Sequence, residues 1–512
     1  MSGGDDPRIS FLDGILPAAQ HELVRMLAQT QMVITAADPT LKSAAGQMII
    51  YQLATLVSRL FDNVVVEGDE QIESAPALRM LSGSFVTGLR RLCTTFRPMT
   101  PEPPAATVRI RVGEGTEDAD LYVGATAWSA SISFQTPQPV RPSSWPMGPL
   151  AAGTLAASEV FKLVFAERIP RAVTGLDYRL SLLTYDQSAH TSPLPTPLQP
   201  IDLVLFGGGS IGTSFAQALL FAEPLRGSIT VVDNGRFDRK NPYKYALLDW
   251  ETAEVGPYKA PWLARQMTRY SGGRLRTAAM VGTAEQYVAS LEHSYRIPLA
   301  ISAVDTIEAR FEIQDTLPKQ IINAGIMGTT AEVSVHAFGT GPCLACIGLE
   351  SELESWQAIP IADALGLDVD RVHHLIRGNI PMKPDDITRL RTAGRLQGTL
   401  RDTLDTFLGQ PLLSLWNRAA YGEVSLSIAA SGSPPRVSTA FVSAFAGVLL
   451  LAELVKVVDP ALSDYVVDNS YRQEMLGIPA SNLFRYQRDP RGWCLCHSSF
   501  RLAMYKEKYG IA

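Results

Sequence analysis

One stretch constrains this chain more than any other: "IDLVLFGGGSIGTSFAQALL", from Ile201 to Leu220. An apolar run of strand character meets a turn holding Gly207, Gly209 and Gly212, and an apolar helical pattern begins at once. Strand, glycine turn and helix in that order aim backbone N–H groups and a helix N-terminus at one spot, where phosphate is stabilised. "GSITVVDNG" then supplies a second strand ending at Asp233, 21 residues beyond Gly212. At that distance an acid meets a ribose hydroxyl in a dinucleotide fold. The second half is therefore expected to be a Rossmann-like α/β domain. Hydride transfer, adenylation and simple binding all use such a turn, so the residues downstream decide among them.

Beyond Asp233 the chain is polar and cationic: "GRFDRKNPYKYALLDWETAEVGPYKA". A dehydrogenase has no special need for such groups here. An adenylyl-transferring enzyme does, because charge builds up on the phosphates as pyrophosphate leaves. Asn241, Lys244 and Lys259 are suitably typed for that task. In "ISAVDTIEAR", Asp305 ends an apolar strand, where an open α/β sheet places its ligand crevice. A carboxylate there could hold Mg²⁺ against a triphosphate. Together these residues favour ATP over NAD.

Residues from about 200 to 500 resemble the ubiquitin-activating enzyme superfamily, including the thiamine and molybdopterin pathway adenylyltransferases. The resemblance rests on Asp233, on Asn241 with Lys244, on Gly256 with Lys259, and on Asp305 with Arg310. It implies ATP and Mg²⁺ as cofactors, adenylation of the C-terminal carboxylate of a ubiquitin-like protein, delivery towards a conjugating enzyme, and a homodimer. Segments of the first half are similar to bacterial members encoded with conjugation machinery, which serve antiphage defence. Two residues depart from the pattern. Gly235 stands where many members carry a second ribose-binding acid, and Lys244 replaces an arginine, keeping the charge but losing the bidentate fork.

Five cysteines in 512 residues are no disulfide scaffold, but four fall in two tight pairs, Cys343 with Cys346 and Cys494 with Cys496. Four thiolates so spaced suit a closed structural Zn²⁺, with His497 an adjacent competitor, and the resembling family carries zinc in the same places. Two buried pairs of small hydrophobes are the alternative. Cys93 alone is left for covalent work, and packing is its simpler role. Relatives carry a thioester-forming cysteine between the zinc pairs, whereas here that interval has none. In it, Ala429 and Ala430 are the positions where a replaced cysteine would fit.

A second pattern concerns the whole chain. "AAGTLAASEVFK" (151–162) aligns without gaps on "FAGVLLLAELVK" (445–456), sharing Gly153/Gly447, Glu159/Glu453 and Lys162/Lys456 among five matches. Either these are two unrelated alanine-rich helices, or the chain holds two copies of one fold, the first without its glycine turn. The expectation taken forward is a degenerate adenylation-like α/β domain over 1–198 and an active one over 199–512. A net charge of −6 with no long basic run argues against nucleic acid as the main partner. No membrane partner is expected either. The apolar run in "AFVSAFAGVLLLAELVKVV" stops at Glu453, short of a span, and the N-terminus lacks a secretory pattern, which suggests a cytoplasmic protein. The rival readings are a non-catalytic scaffold for a ubiquitin-like protein or conjugating enzyme, and an NAD-dependent oxidoreductase.

Overall fold

Residues 30–181 and 201–484 each build one mixed sheet in the computed structural model. The structure describes residues 20–96, 103–346, 358–416 and 439–511, less scattered positions, chiefly within 170–172, 188–199, 239–240, 293–294, 338–340, 378–379, 478–481 and 485–494. The first sheet runs β1 (Thr30–Ala36), β2 (Asn63–Val66), β3 (Ala106–Val112), β4 (Leu121–Ala125), β5 (Ser129–Ser133) and β6 (Tyr178–Ser181) in chain order. The second continues with β7 (Ile201–Phe206), β8 (Gly227–Val232), β9 (Leu275–Met280), β10 (Leu299–Ser302) and β11 (Gln320–Met327). It closes with β12 (Thr330–Ala337), β13 (Ser470–Glu474) and β14 (Leu483–Phe484).

The spatial orders are β2-β1-β3-β4-β5-β6 and β14-β13-β12-β11-β10-β7-β8-β9. Without β9 and β14 the second order maps strand for strand onto the first. In each, four parallel strands are followed by two antiparallel ones. Helices obey the same mapping. Ala44–Val57 comes after β1 as Ser210–Phe221 comes after β7, and Met147–Val164 precedes β6 as Ala440–Val458 precedes β13. The chain is thus an α/β protein that repeats its own topology.

The residues shared by the two apolar helices explain why they match. A Cβ on Gly153 would lie 2.7 Å from Ile49 O, and one on Gly447 would lie 2.6 Å from Phe215 N. Each glycine lets two helix backbones touch, and a methyl would force them apart. Each helix also buries a Glu–Lys pair, Glu159 with Lys162 and Glu453 with Lys456. Tyr178 donates to Glu159 and Tyr185 to Glu453. Lys162 then donates to Gly477 O at 3.3 Å, while Lys456 donates to Leu182 O at 3.3 Å and Leu183 O at 3.4 Å. Each lysine reaches a carbonyl of the other copy, so the buried charges link the copies as well as pairing internally. A buried ion pair specifies geometry more reliably than it adds stability.

The helix Ala440–Val458 is longer than the apolar run suggests, because Glu453 and Lys456 pair inside it. Its length and composition would let it cross a membrane, yet 89% of it is buried within the protein.

By internal packing the chain divides into residues 1–345 with 437–512 as one unit and 346–436 as another. The smaller unit is helical, with Ala358–Leu365, Val369–Arg377 and Pro384–Ala393 closing on a core that includes Ile361, Leu375, Ile387, Leu390 and Phe407. Arg371 grips the nearly inaccessible Asp386 carboxylate with two 2.7 Å hydrogen bonds.

Candidate active site

The turn after β7 takes a shape only glycine supplies. Gly207 sits at φ +101°, and a Cβ there would lie 2.5 Å from Ala303 O. A Cβ on Gly212 would lie 1.9 Å from Gly207 O, so the helix Ser210–Phe221 starts pressed against the turn. Gly209 caps that helix without any side-chain hydrogen bond, which leaves the first-turn N–H groups open to an anion. Above Gly209 the nearest atom to an added Cβ is Tyr245 Oη, 3.8 Å away.

The first copy has lost this cradle. After β1 the chain makes a short helix, Asp38–Leu41, and Ser43 Oγ accepts the Gly46 N–H at 3.0 Å. Gly46 keeps the role of Gly212, since its Cβ would lie 2.1 Å from Thr40 O. The helix end is capped by its own serine, so one of its first-turn N–H groups is already engaged.

Asp233 comes directly after β8, and its carboxylate closes the turn from the side. Oδ2 accepts the Gly208 N–H at 2.7 Å and Oδ1 accepts the Gly235 N–H at 2.6 Å. Each oxygen keeps a lone pair for a ribose hydroxyl. Gly235 also has a spatial reason to lack a side chain, because a Cβ would sit 3.2 Å from Lys259 Nζ and 3.1 Å from Asp233 Oδ1. The place of a second acid is taken by the lysine ammonium.

Lys259 opens the helix Lys259–Tyr270, its N–H donating to Gly235 O at 2.9 Å. Burial alone would lower its pKa, but Tyr245, Asp233 and Asp305 outweigh that and hold it above the ordinary lysine value. Tyr245 is pushed up by burial, partly offset by Lys259, which donates a hydrogen bond to the phenol oxygen. Lys259, Asp233, Tyr245 and Asp305 therefore form one electrostatic cluster beside the glycine turn. Asp305 is exposed just past the C-terminal end of β10. Arg310, on the next helix, donates to Val304 O at 3.4 Å.

The other two predicted residues lie differently. Asn241 begins a short 3₁₀ turn and exchanges hydrogen bonds with Asp238, donating to Oδ1 at 3.0 Å and accepting that residue's N–H at 3.0 Å. Lys244 lines a narrow crevice with Gln52, Arg59, Ser214 and Gln217. Tyr245 is a site residue that sequence reasoning misses. In the sequence it is one aromatic residue among several in a loop, and only the folded loop brings its hydroxyl over Gly209.

Sulfur ligands of Cys343, Cys346 and Cys496 lie within 4.8 Å of one another, and all three residues are buried. Thiolates around a tetrahedral zinc with bonds of about 2.3 Å would stand roughly 3.8 Å apart, so the donor set and spacing fit that metal. Cys494 and the alanine pair Ala429 and Ala430 lie outside the described residues. Cys93 is 1% exposed and sits in the main core.

The chain matches the ThiF family over residues 197–484 and the BilD N-terminal domain over residues 31–181. It is 28% identical over 537 residues to the uncharacterized protein y4jF of Sinorhizobium fredii, covering 98% of this chain and 97% of that one. Among solved structures it is similar to E. coli MccB with SeMet MccA, at 12% identity and a TM-score of 0.32, covering 58% of this chain and 66% of that one. It is also similar to E. coli MccB alone, at 12% identity and a TM-score of 0.29, covering 55% and 64%. The chain thus spans about two thirds of the length of those solved proteins.

Proposed function

This chain belongs to the ThiF family, whose members are ATP-dependent adenylyltransferases acting on a carboxylate, and we propose that its own substrate is the C-terminal carboxylate of a ubiquitin-like protein. The observation that carries the reading is Lys259, a half-buried ammonium held between Asp233, Asp305 and Tyr245 at the mouth of the glycine turn. A cation so placed serves a reaction in which negative charge grows on phosphate oxygens. It has no evident use in hydride transfer.

In the proposed step a carboxylate oxygen attacks the α-phosphorus of ATP, the bond to the bridging oxygen breaks, and pyrophosphate departs. The products are an acyl adenylate and pyrophosphate. Backbone N–H groups of the turn hold phosphate, Asp233 holds the ribose, and Lys259 and Asn241 stabilise the leaving charge. Lys244 adds positive potential from the same loop. Asp305 would hold Mg²⁺, since that ion binds through one or two carboxylates plus phosphates and water, and an exposed carboxylate at a strand end suits it. Bound there, the ion would supply charge neutralisation.

With no cysteine between Cys346 and Cys494 and with Cys93 buried, the chemistry on this chain stops at the adenylate, which passes to a conjugating enzyme. The first copy contributes no catalytic groups, the working form is a cytoplasmic homodimer, and the cysteine cluster holds structural zinc. Antiphage defence is the biology in which such a pathway would act, a reading that rests on the sequence resemblance of the first half to bacterial members encoded with conjugation machinery.

ATP–pyrophosphate exchange tests the proposal, using candidate ubiquitin-like proteins from the chain's own genome. Exchange should require such a protein, and Asp305→Ala should abolish it in a protein that still folds. Exchange by Asp305→Ala within twofold of wild type would remove Asp305 from the site.

A further inference from the structure

The loop from Asn241 to Leu248 carries Tyr245 of the cluster beside the glycine turn, together with Asn241 and Lys244, and a residue from the other copy grips it. Arg59 lies just beyond the helix Ala44–Val57 and is only 3% exposed. Its Nη1 donates to Pro242 O and to Leu248 O, the latter at 3.5 Å, so it holds the loop at both ends. The guanidinium also lies over the Phe96 ring, 3.9 Å from the centroid. Burial pulls its pKa down to about 10 despite help from Tyr51, Cys93 and Asp249, so it remains charged at neutral pH.

Between the two gripped carbonyls the backbone is strained. Leu247 sits at φ +65°, a left-handed conformation that L side chains rarely adopt and that persists only where surroundings enforce it. The same loop directs Tyr245 Oη over Gly209 and Lys244 into the crevice beside Gln217. A buried guanidinium with five fixed donors is suited to such a clamp, because leaving it without carbonyl partners is costly and because one planar group can serve several acceptors.

We infer that Arg59 is a positioning residue through which the copy lacking a glycine turn holds the nucleotide loop of the other copy in its ATP-binding shape. The inference rests on the nucleotide-site reading above. The first copy then supplies no group to the reaction but sets the placement of Lys244 and Tyr245, and nucleotide binding depends on both halves. Lysine is a poor replacement for arginine here, since both loop contacts come from Nη1 of a guanidinium whose plane is fixed over the Phe96 ring, and a flexible ammonium has no such plane to stack.

Hydrogen exchange and MgATP binding on the full chain test this together. In Arg59→Lys, amides of residues 243–249 should exchange about tenfold faster, while those of β7 keep their wild-type rates. MgATP affinity should fall about tenfold. Arg59→Met should do the same or more, and if it fails to fold, the lysine variant alone decides. Unchanged loop exchange in folded Arg59→Lys, with wild-type MgATP affinity, would overturn the positioning role and leave the nucleotide site standing. Wild-type protein that binds no MgATP would instead overturn the nucleotide reading, whatever the loop exchange shows.

Discussion

Gln217 Nε2 donates to Gln52 Oε1 at 2.6 Å, and the two glutamines lie on corresponding helices of the two copies, one residue out of step. Both are buried, and Gln52 Nε2 donates onward to Thr154 Oγ1 at 3.0 Å. The contact thus joins the helix Ala44–Val57 to its counterpart Ser210–Phe221 by a polar link inside an apolar interface. Gln217→Leu should cost about 1–3 kcal/mol, because Gln52 Oε1 is left buried without a donor. Changing both to leucine should recover part of that loss. A double-mutant cycle by thermal or urea unfolding measures the coupling, and strict additivity would contradict it.

Legibility in the sequence depends on how local each residue's reason is. The strand–turn–helix unit is legible because Gly207 and Gly212 are needed by the local backbone, whatever lies elsewhere. Gly153 and Gly447 and the two Glu–Lys pairs are visible as a faint repeat, and the mapped strand order gives that repeat its meaning. Arg59 is invisible, since its acceptors lie 183 and 189 residues away and nothing local marks it. The use of Asp233 to accept two backbone N–H groups is equally hidden, because an acid after a strand looks the same whether it meets ribose or glycine.

Lys259 and Tyr245 should separate binding from chemistry. Lys259→Ala should lower the maximal exchange rate about 100-fold while weakening MgATP binding by less than tenfold, because its charge matters most as pyrophosphate departs. Tyr245→Phe removes the hydroxyl above Gly209 and should cost about threefold to tenfold in MgATP affinity. Steady-state exchange against ATP concentration resolves the two effects, and a Lys259→Ala defect confined to affinity would make that lysine a binding residue.

The cysteine cluster predicts one zinc per chain by elemental analysis. Cys343→Ser should lower the unfolding temperature while sparing catalysis in protein kept cold, because a closed site has no open coordination position. Chelation of wild-type protein should reproduce the loss. Metal-free protein with full thermal stability would contradict the assignment.

Acid should loosen the helical unit first through Asp386. Its hydrogen bonds from Arg371, helped by the Lys383 N–H, hold the carboxyl below the ordinary aspartate range. A depressed folded-state pKa stabilises fully above the unfolded value of about 3.9, and the contribution disappears as pH falls through the folded value. Asp386→Asn should cost about 2–4 kcal/mol at neutral pH and remove this acid-sensitive part. Hydrogen exchange of residues 384–393 between pH 3 and pH 6 in both proteins checks it, and parallel profiles would contradict it.

The central claim is that the site beside Gly207, Gly209 and Gly212 transfers AMP to a protein's terminal carboxylate. Intact mass measurement of the ubiquitin-like protein, quenched in acid after mixing with this chain and MgATP, tests that most directly. The account predicts an adduct of one AMP that hydroxylamine removes, that Lys259→Ala reduces, and that is missing when the terminal carboxylate is amidated. ATP turnover with no adduct, or AMP attached equally to the amidated protein, would contradict it.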